Sequence, residues 1–150
     1  MCHYCGCREI PLIKEFIAEH AEVTDLAGKA LRALDRGAVD EAARLVPRMA
    51  AELRSHWQGE ERGLFTVMRE DPEYAGYIAA LEREHRELDA FLAGLDLHDP
   101  AGRQAFETAV QELYAHISKE EDGLFPASLT ALDGPEWDLS MRAWREAHPG

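Results

Sequence analysis

The chain has 150 residues, with 16 Lys and Arg against 29 Asp and Glu and a net charge of −13. That length suits one domain able to bury about 68–70% of its unfolded surface. Its 46% hydrophobic and 30% charged residues describe an ordinary globule rather than a disordered tail. The acidity argues against nucleic acid and anionic membranes as partners, because both select a basic surface. No apolar stretch approaches the roughly 20 residues of a membrane span.

The first eleven residues, MCHYCGCREIP, lack a basic region followed by an apolar run. No secretory signal is expected, and a cytoplasmic location is. All three cysteines, Cys2, Cys5 and Cys7, lie here, so none is left to build a disulfide scaffold. With His3 they read as a metal clip, as redox-active thiols or as a frayed terminus. A first helix is expected from Pro11 to Leu34, with Gly37 as its stop. A second runs from an Asp40 cap to Arg69, with a kink or break at Pro47. A third follows Asp71-Pro72 and reaches Leu95. A fourth starts at Asp99-Pro100 and continues to Asp122, where Gly123 and Pro126 disturb it. A short fifth helix follows Asp133-Gly134-Pro135 and reaches Ala147. Short connections make neighbours antiparallel. The expected fold is all-α, an up-down-up-down antiparallel four-helix bundle with a short C-terminal fifth helix. Residues 1–9 form a cysteine-rich segment, 10–130 the bundle and 131–150 the last helix and tail.

An internal repeat stands out. His56, Glu60, Glu61, Gly63, Leu64 and Phe65 recur as His116, Glu120, Glu121, Gly123, Leu124 and Phe125, both in the pattern H-x-x-x-E-E-x-G-L-F. Shared packing explains the Leu and Phe of a duplicated hairpin, but not the His and Glu. Residues four apart share one helix face. His56 and Glu60 share theirs with Met49, Leu53, Leu64 and Val67. His116 and Glu120 share theirs with Ala109, Leu113 and Leu124. His20 lies on the stripe of Phe16, Val23, Ala27 and Leu31, and His85 on that of Ile78, Leu81, Leu88 and Leu92. Four helices therefore point a histidine inward, and two add a glutamate. A buried Glu without a partner costs several kcal/mol or takes up a proton, and a bound cation removes that cost.

The six residues also share one level. In an antiparallel hairpin, residues at equal height are equidistant from the loop. The midpoint between His20 and His56 falls at Gly37-Ala38. That between the His56/Glu60 pair and His85 falls between Asp71 and Pro72. That between His85 and the His116/Glu120 pair falls near Pro100–Gly102. These are the loops that caps, Pro and Gly mark independently. His20, His56, Glu60, His85, His116 and Glu120 should converge in one layer as metal ligands. Six N and O donors exceed one tetrahedral zinc site. Imidazole with carboxylate suits iron, manganese or zinc, and two carboxylates able to bridge favour a two-metal iron site.

This pattern, H…H-x-x-x-E…H…H-x-x-x-E, resembles the hemerythrin-like, or HHE cation-binding, domain family over about residues 10 to 130. The resemblance implies a buried di-iron centre of two non-haem Fe ions, oxo- or hydroxo-bridged and carboxylate-bridged. It implies His20, His56, Glu60, His85, His116 and Glu120 as ligands, with the glutamates bridging. The oxygen-carrying members place a second histidine on the third helix. Here Leu81 and Asp89 stand a turn either side of His85, so Asp89 is a candidate seventh ligand or an outer residue. Glu61 and Glu121 are alternative carboxylates, but each points about 100° away from the ligand face and reads better as a surface charge. The functional expectation is a protein that binds or reacts with O2, H2O2 or NO, with catalase-like peroxide consumption as one form of it. The alternative is an iron or redox sensor without turnover. Trp137, Leu139, Met141 and Trp144 are expected to cover the bundle end, or else to form a dimer contact, in a monomer or weak dimer. Tyr77 and Tyr114 could approach the metals, but core packing with a hydrogen-bonded hydroxyl is the better expectation. His98 and His148 carry no signal.

Overall fold

A computed structural model describes residues 6–149. Among them are helices and no strands. The long helices are α1 (Ile13–Asp35), α2 (Val39–Gly59), α4 (Pro72–Ala93) and α5 (Pro100–Lys119). They close a ring in which α1 packs on α2, α2 on α4, α4 on α5, and α5 on α1. Short pieces α3 (Phe65–Met68) and α6 (Phe125–Ala131) continue α2 and α5, and α7 (Gly134–Ala147) ends the chain.

Three helix starts follow the expected chemistry. The carboxylates of Asp71, Asp99 and Asp133 accept from the backbone N–H of Glu73, Ala101 and Glu136, which satisfies a donor the first turn leaves open. The start of α2 differs. Ala38 is its N-cap with no side-chain bond, and Asp40 lies inside the first turn beside Glu41, where the helix dipole favours acids. Nor does Pro47 break α2, which runs through it unbroken. Pro47 is exposed, so water can satisfy the carbonyl it frees.

The irregular turns lie elsewhere, one in each copy of the repeat. Glu60–Leu64 and Glu120–Leu124 are π-helical, closed by bonds from Phe65 N–H to the Glu60 carbonyl and from Phe125 N–H to the Glu120 carbonyl. The chain therefore continues past Gly123 and Pro126 instead of stopping. Each widened turn holds one extra residue and advances the register behind it. Leu64, Phe65 and Met68 are buried as a result, while Val67 is only half-buried.

Two apolar cores flank a polar layer. One contains Val23, Ala27, Met49, Leu53, Phe106 and Leu113. The other contains Leu12, Phe16, Leu64, Phe65, Ile78, Leu81, Leu124 and Phe125. Along α1 and α4, and along α2 and α5 with the pieces that continue them, the expected ligands fall between the segments that feed these cores.

The two motif glycines explain themselves by what lies over them. A Cβ on Gly123 would sit 2.9 Å from the Tyr77 hydroxyl, and one on Gly63 would sit 2.9 Å from Ser140 Cα. So α7 is seated directly on the first π turn, with Ser140 and Ala143 buried. Backbone cannot move aside as a flexible side chain does. Gly63→Ala is therefore expected to cost about 1–3 kcal/mol, read as a lower urea midpoint. An unchanged midpoint would reject this tight seat. Trp137, Met141 and Trp144 pack against the second core as expected, but Leu139 is exposed.

Candidate metal centre

His20 comes from α1, His56 from α2, His85 from α4 and His116 from α5. Glu60 and Glu120 open the two π turns. None of the six is more than 5% exposed, so the layer read from the apolar stripes exists as a buried cluster. His56 Nε2 lies 2.8 Å from Glu60 Oε1, and His20 Nε2 lies 3.0 Å from Glu120 Oε1. On the other side, His116 Nε2 lies 3.1 Å from Glu120 Oε2, and His85 Nε2 lies 3.5 Å from Glu60 Oε2. The Nε2 atoms of His85 and His116 face each other at 3.0 Å. Each carboxylate thus divides its two oxygens between the His20/His56 pair and the α4–α5 side.

Two sets of donor atoms, each within 4.8 Å, can hold a cation: His20, His56, Glu60 and Glu120, and His85, His116 and Glu120. Protein alone satisfies them poorly. His56 Nε2, both oxygens of Glu60 and Glu120 Oε2 are buried without a hydrogen-bond partner. Each such group costs free energy that a cation would remove. The residues present fit a metal site.

A second ring of carboxylates stands behind the histidines. Glu121 Oε2 lies 2.7 Å from His20 Nδ1, Glu19 Oε1 2.9 Å from His56 Nδ1, and Glu61 Oε1 2.9 Å from His85 Nδ1. Glu84 Oε1 stands farther from His116 Nδ1, at 3.7 Å. An ionised carboxylate only accepts, so the Nδ1 of His20, His56 and His85 carries a proton and leaves Nε2 as the atom that would ligate a metal. Glu61 and Glu121 are therefore not the surface charges expected from a 100° step. The π turns that begin at Glu60 and Glu120 rotate less per residue and keep their successors near the cluster. Glu19 and Glu84 were missed altogether. The signal was present: a Glu immediately precedes both His20 and His85, as one immediately follows both Glu60 and Glu120.

This outer ring is itself anchored. Arg8 donates to Glu121 at 2.8 Å, Lys119 to Glu84 at 2.7 Å, and Trp144 Nε1 to Glu19 at 2.6 Å. Aromatic rings exclude water around the layer. Trp57 stacks on His85 at 4.8 Å, Phe125 on His20 at 6.0 Å, and Phe16 meets His56 edge-on at 5.5 Å.

The electrostatics describe a cluster that shares protons when no metal is present. Burial, then the charge of Glu120 beside it, pushes the Glu60 carboxyl well above its usual range. Burial also pushes Glu120 up, but the charge of His116, with the close approach of His116, His20 and His85, outweighs it and holds Glu120 well below. His85 is raised to about 9: burial lowers it, and the bonds to Glu120 and Glu61 more than reverse that. His20 is raised in the same way, through Glu120 and Glu121.

Several candidates lie away from the cluster. Asp89 is half-buried and pairs with Arg54 at 3.3 Å, so it supplies no seventh ligand. One turn past His85, its carboxylate reaches Arg54 on α2 instead of the layer. Tyr114 is exposed rather than in the core, and Tyr77, also exposed, donates to the Lys119 carbonyl at 2.6 Å. His98 is exposed and faces Asp40. His148 is not incidental: its Nε2 lies 3.3 Å from Glu19 Oε1, and its ring stacks on Trp144 at 4.8 Å. Cys7 is disulfide-bonded. Cys2, His3 and Cys5 lie outside the described residues, and the metal-clip and redox readings rest on them.

A cavity of about 620 Å³ opens between α4 and α5 and reaches His85 and His116. Trp57, Leu88, Phe91 and Leu113 supply apolar wall, and Glu84, Glu87 and Glu112 are among its polar lining. Among the described residues no helix is long and apolar enough to cross a membrane.

Fold and site together define a class, a helical bundle whose interior carries a histidine and carboxylate site for cations. The chain belongs to the hemerythrin HHE cation-binding domain family, whose model matches residues 12–128. Comparison with curated proteins and with solved structures finds no match.

Proposed function

We propose that this protein is a non-haem di-iron protein that binds or reacts with a small inorganic ligand, O2, H2O2 or NO. In this reading His20, His56, Glu60, His85, His116 and Glu120 are the ligands, the two glutamates bridge, and the four long helices run up-down-up-down. One observation carries it: both buried glutamates direct one oxygen to each side of the layer, with atoms left unpaired between four histidines. Two carboxylates shared by two imidazole pairs suit two metals better than one. Iron, when bound, supplies the redox chemistry and the open coordination position.

The chain's own residues do the rest. Glu121, Glu19 and Glu61 hold His20, His56 and His85 in the tautomer that presents Nε2. Phe16, Phe125, Phe65 and Trp57 keep water from the layer. The α4–α5 cavity offers a route to His85 and His116, whose set contains one donor residue fewer than the other. A ligand is therefore expected to arrive on that side. Carboxylates on the cavity lining favour a neutral ligand over an anion. The net charge of −13 opposes nucleic acid as a partner. Cytoplasmic residence and a monomer or weak dimer complete the reading.

The test is a spectrum of iron-loaded, reduced protein mixed separately with O2, H2O2 and NO. A reversible oxygenated band marks carriage, and sustained gas evolution marks peroxide consumption. Either supports the proposal, as does a nitrosyl band. Inertness to all three rejects it and leaves the iron or redox sensor without turnover.

A further inference from the structure

We infer that α7 is a working part of the metal centre, with Trp144 a positioning residue that acts through Glu19 on His56. The inference rests on His56 being a ligand, as proposed above. It concerns residues beyond the 12–128 segment that the family match covers.

Three independent observations carry it. First, the contacts form a chain. Trp144 Nε1 donates to Glu19 Oε2 at 2.6 Å, and Glu19 Oε1 lies 2.9 Å from His56 Nδ1. His148 adds a contact of 3.3 Å to the same Oε1. The Glu19 carboxylate is thus held at both oxygens, one of which meets His56. Second, α7 has a fixed seat. Gly63 admits the Ser140 backbone, and a Cβ on Gly59 would lie 3.3 Å from Trp144 Cδ1. Gly59 immediately precedes Glu60, the carboxylate that meets His56, and Gly63 lies in the π turn that Glu60 opens. The helix that carries Trp144 is therefore referenced to the same turn as the ligand. Third, the other half of the molecule lacks the device. Over Gly123 sits the Tyr77 hydroxyl instead of a helix. Behind His116, Glu84 is drawn to Lys119 at 2.7 Å and stands 3.7 Å away from the ring. So His116 meets its outer carboxylate loosely, where Lys119 draws it off, while its repeat counterpart His56 meets one that α7 holds in place.

A held outer carboxylate orients a histidine ligand and raises its basicity, and its loss weakens metal binding roughly 10–100-fold. Trp144→Phe keeps much of the ring's packing and removes only the N–H. The experiment loads the full chain with cobalt(II) and follows release to excess chelator by visible absorption. Trp144→Phe should speed one release phase roughly 10–100-fold, the phase that His56→Ala abolishes, and leave the other unchanged. Glu19→Gln should speed the same phase, and the double variant should be no faster than Glu19→Gln alone. Trp137→Phe, on the same helix but not the donor to Glu19, should change neither phase. Unchanged release in Trp144→Phe overturns the inference. So do equal acceleration of both phases, which marks general loosening, and effects that multiply in the double variant. A parent protein that takes up no cobalt rejects His56 as a ligand, and this inference with it.

Discussion

Glu120→Gln is expected to empty both metal positions at once. Glu120 is the one residue common to both donor sets. Its Oε1 faces His20 at 3.0 Å and its Oε2 faces His116 at 3.1 Å. Glutamine keeps the shape but replaces one oxygen with an NH2 that donates and cannot ligate. It also removes a full negative charge from a layer where four imidazoles converge. Iron content should fall from about two ions per chain to near none. His56→Ala touches only the first set, so it should leave the His85/His116 position partly filled. Asp89→Asn should change nothing, since Asp89 pairs with Arg54 at the surface. Elemental analysis of the purified variants checks all three. Full iron in Glu120→Gln would show that Glu120 is not a ligand the two sets share.

Metal should also change stability, and by an amount that depends on pH. The metal-free layer buries unpaired donors, and a metal that binds only the folded chain adds its binding energy to folding. At free metal a thousand times the dissociation constant this is about 4 kcal/mol, or about 8–16 °C in Tm for a chain of this size. The pH dependence follows from His85. Its ordinary value of 6.5 is raised to about 9 in the metal-free fold. Protonated His85 therefore stabilises that fold fully below pH 6.5, and the contribution is lost as pH rises toward 9. Glu60, also raised, acts in the same direction. Metal needs the same Nε2 without its proton, so proton and metal compete. Metal-free Tm should fall between pH 6.5 and 9, and the gain on adding iron(II) or cobalt(II) should widen. Scanning calorimetry with and without metal reads both. A gain that shrinks as pH rises would show that His85 is not displaced from its proton by the metal.

Much of this was legible in sequence because it depends on spacing within single helices. Residues four apart meet on one face whatever the helix packs against. That placed His56 with Glu60 and His116 with Glu120 among apolar neighbours. Caps at Asp71, Asp99 and Asp133 are local too, since each carboxylate reaches a backbone N–H two or three residues on. Asp40 misled because a capping residue needs non-helical backbone, and here Ala38 holds that place. The π turns escaped notice for a related reason. A bond to the fifth residue rather than the fourth leaves no pattern of its own in residue types. Its consequences, Met68 inward and Glu61 and Glu121 beside histidines, appear only after the turn is built.

The sequence by itself determined which six polar groups enter the interior and at what height. A helix rises and turns by fixed amounts per residue, so inward direction and level follow from counting. Only the tertiary structure decided what stands behind those groups. Glu19, Glu61 and Glu121 each approach a histidine of another helix, across a gap set by crossing angles and the two widened turns. It also decided that α7 closes one side through Trp144 while α4 and α5 part on the other. Those contacts join residues as far apart as Glu19 and Trp144. No periodicity links them, because their meeting depends on how whole helices pack and not on the spacing within any one of them.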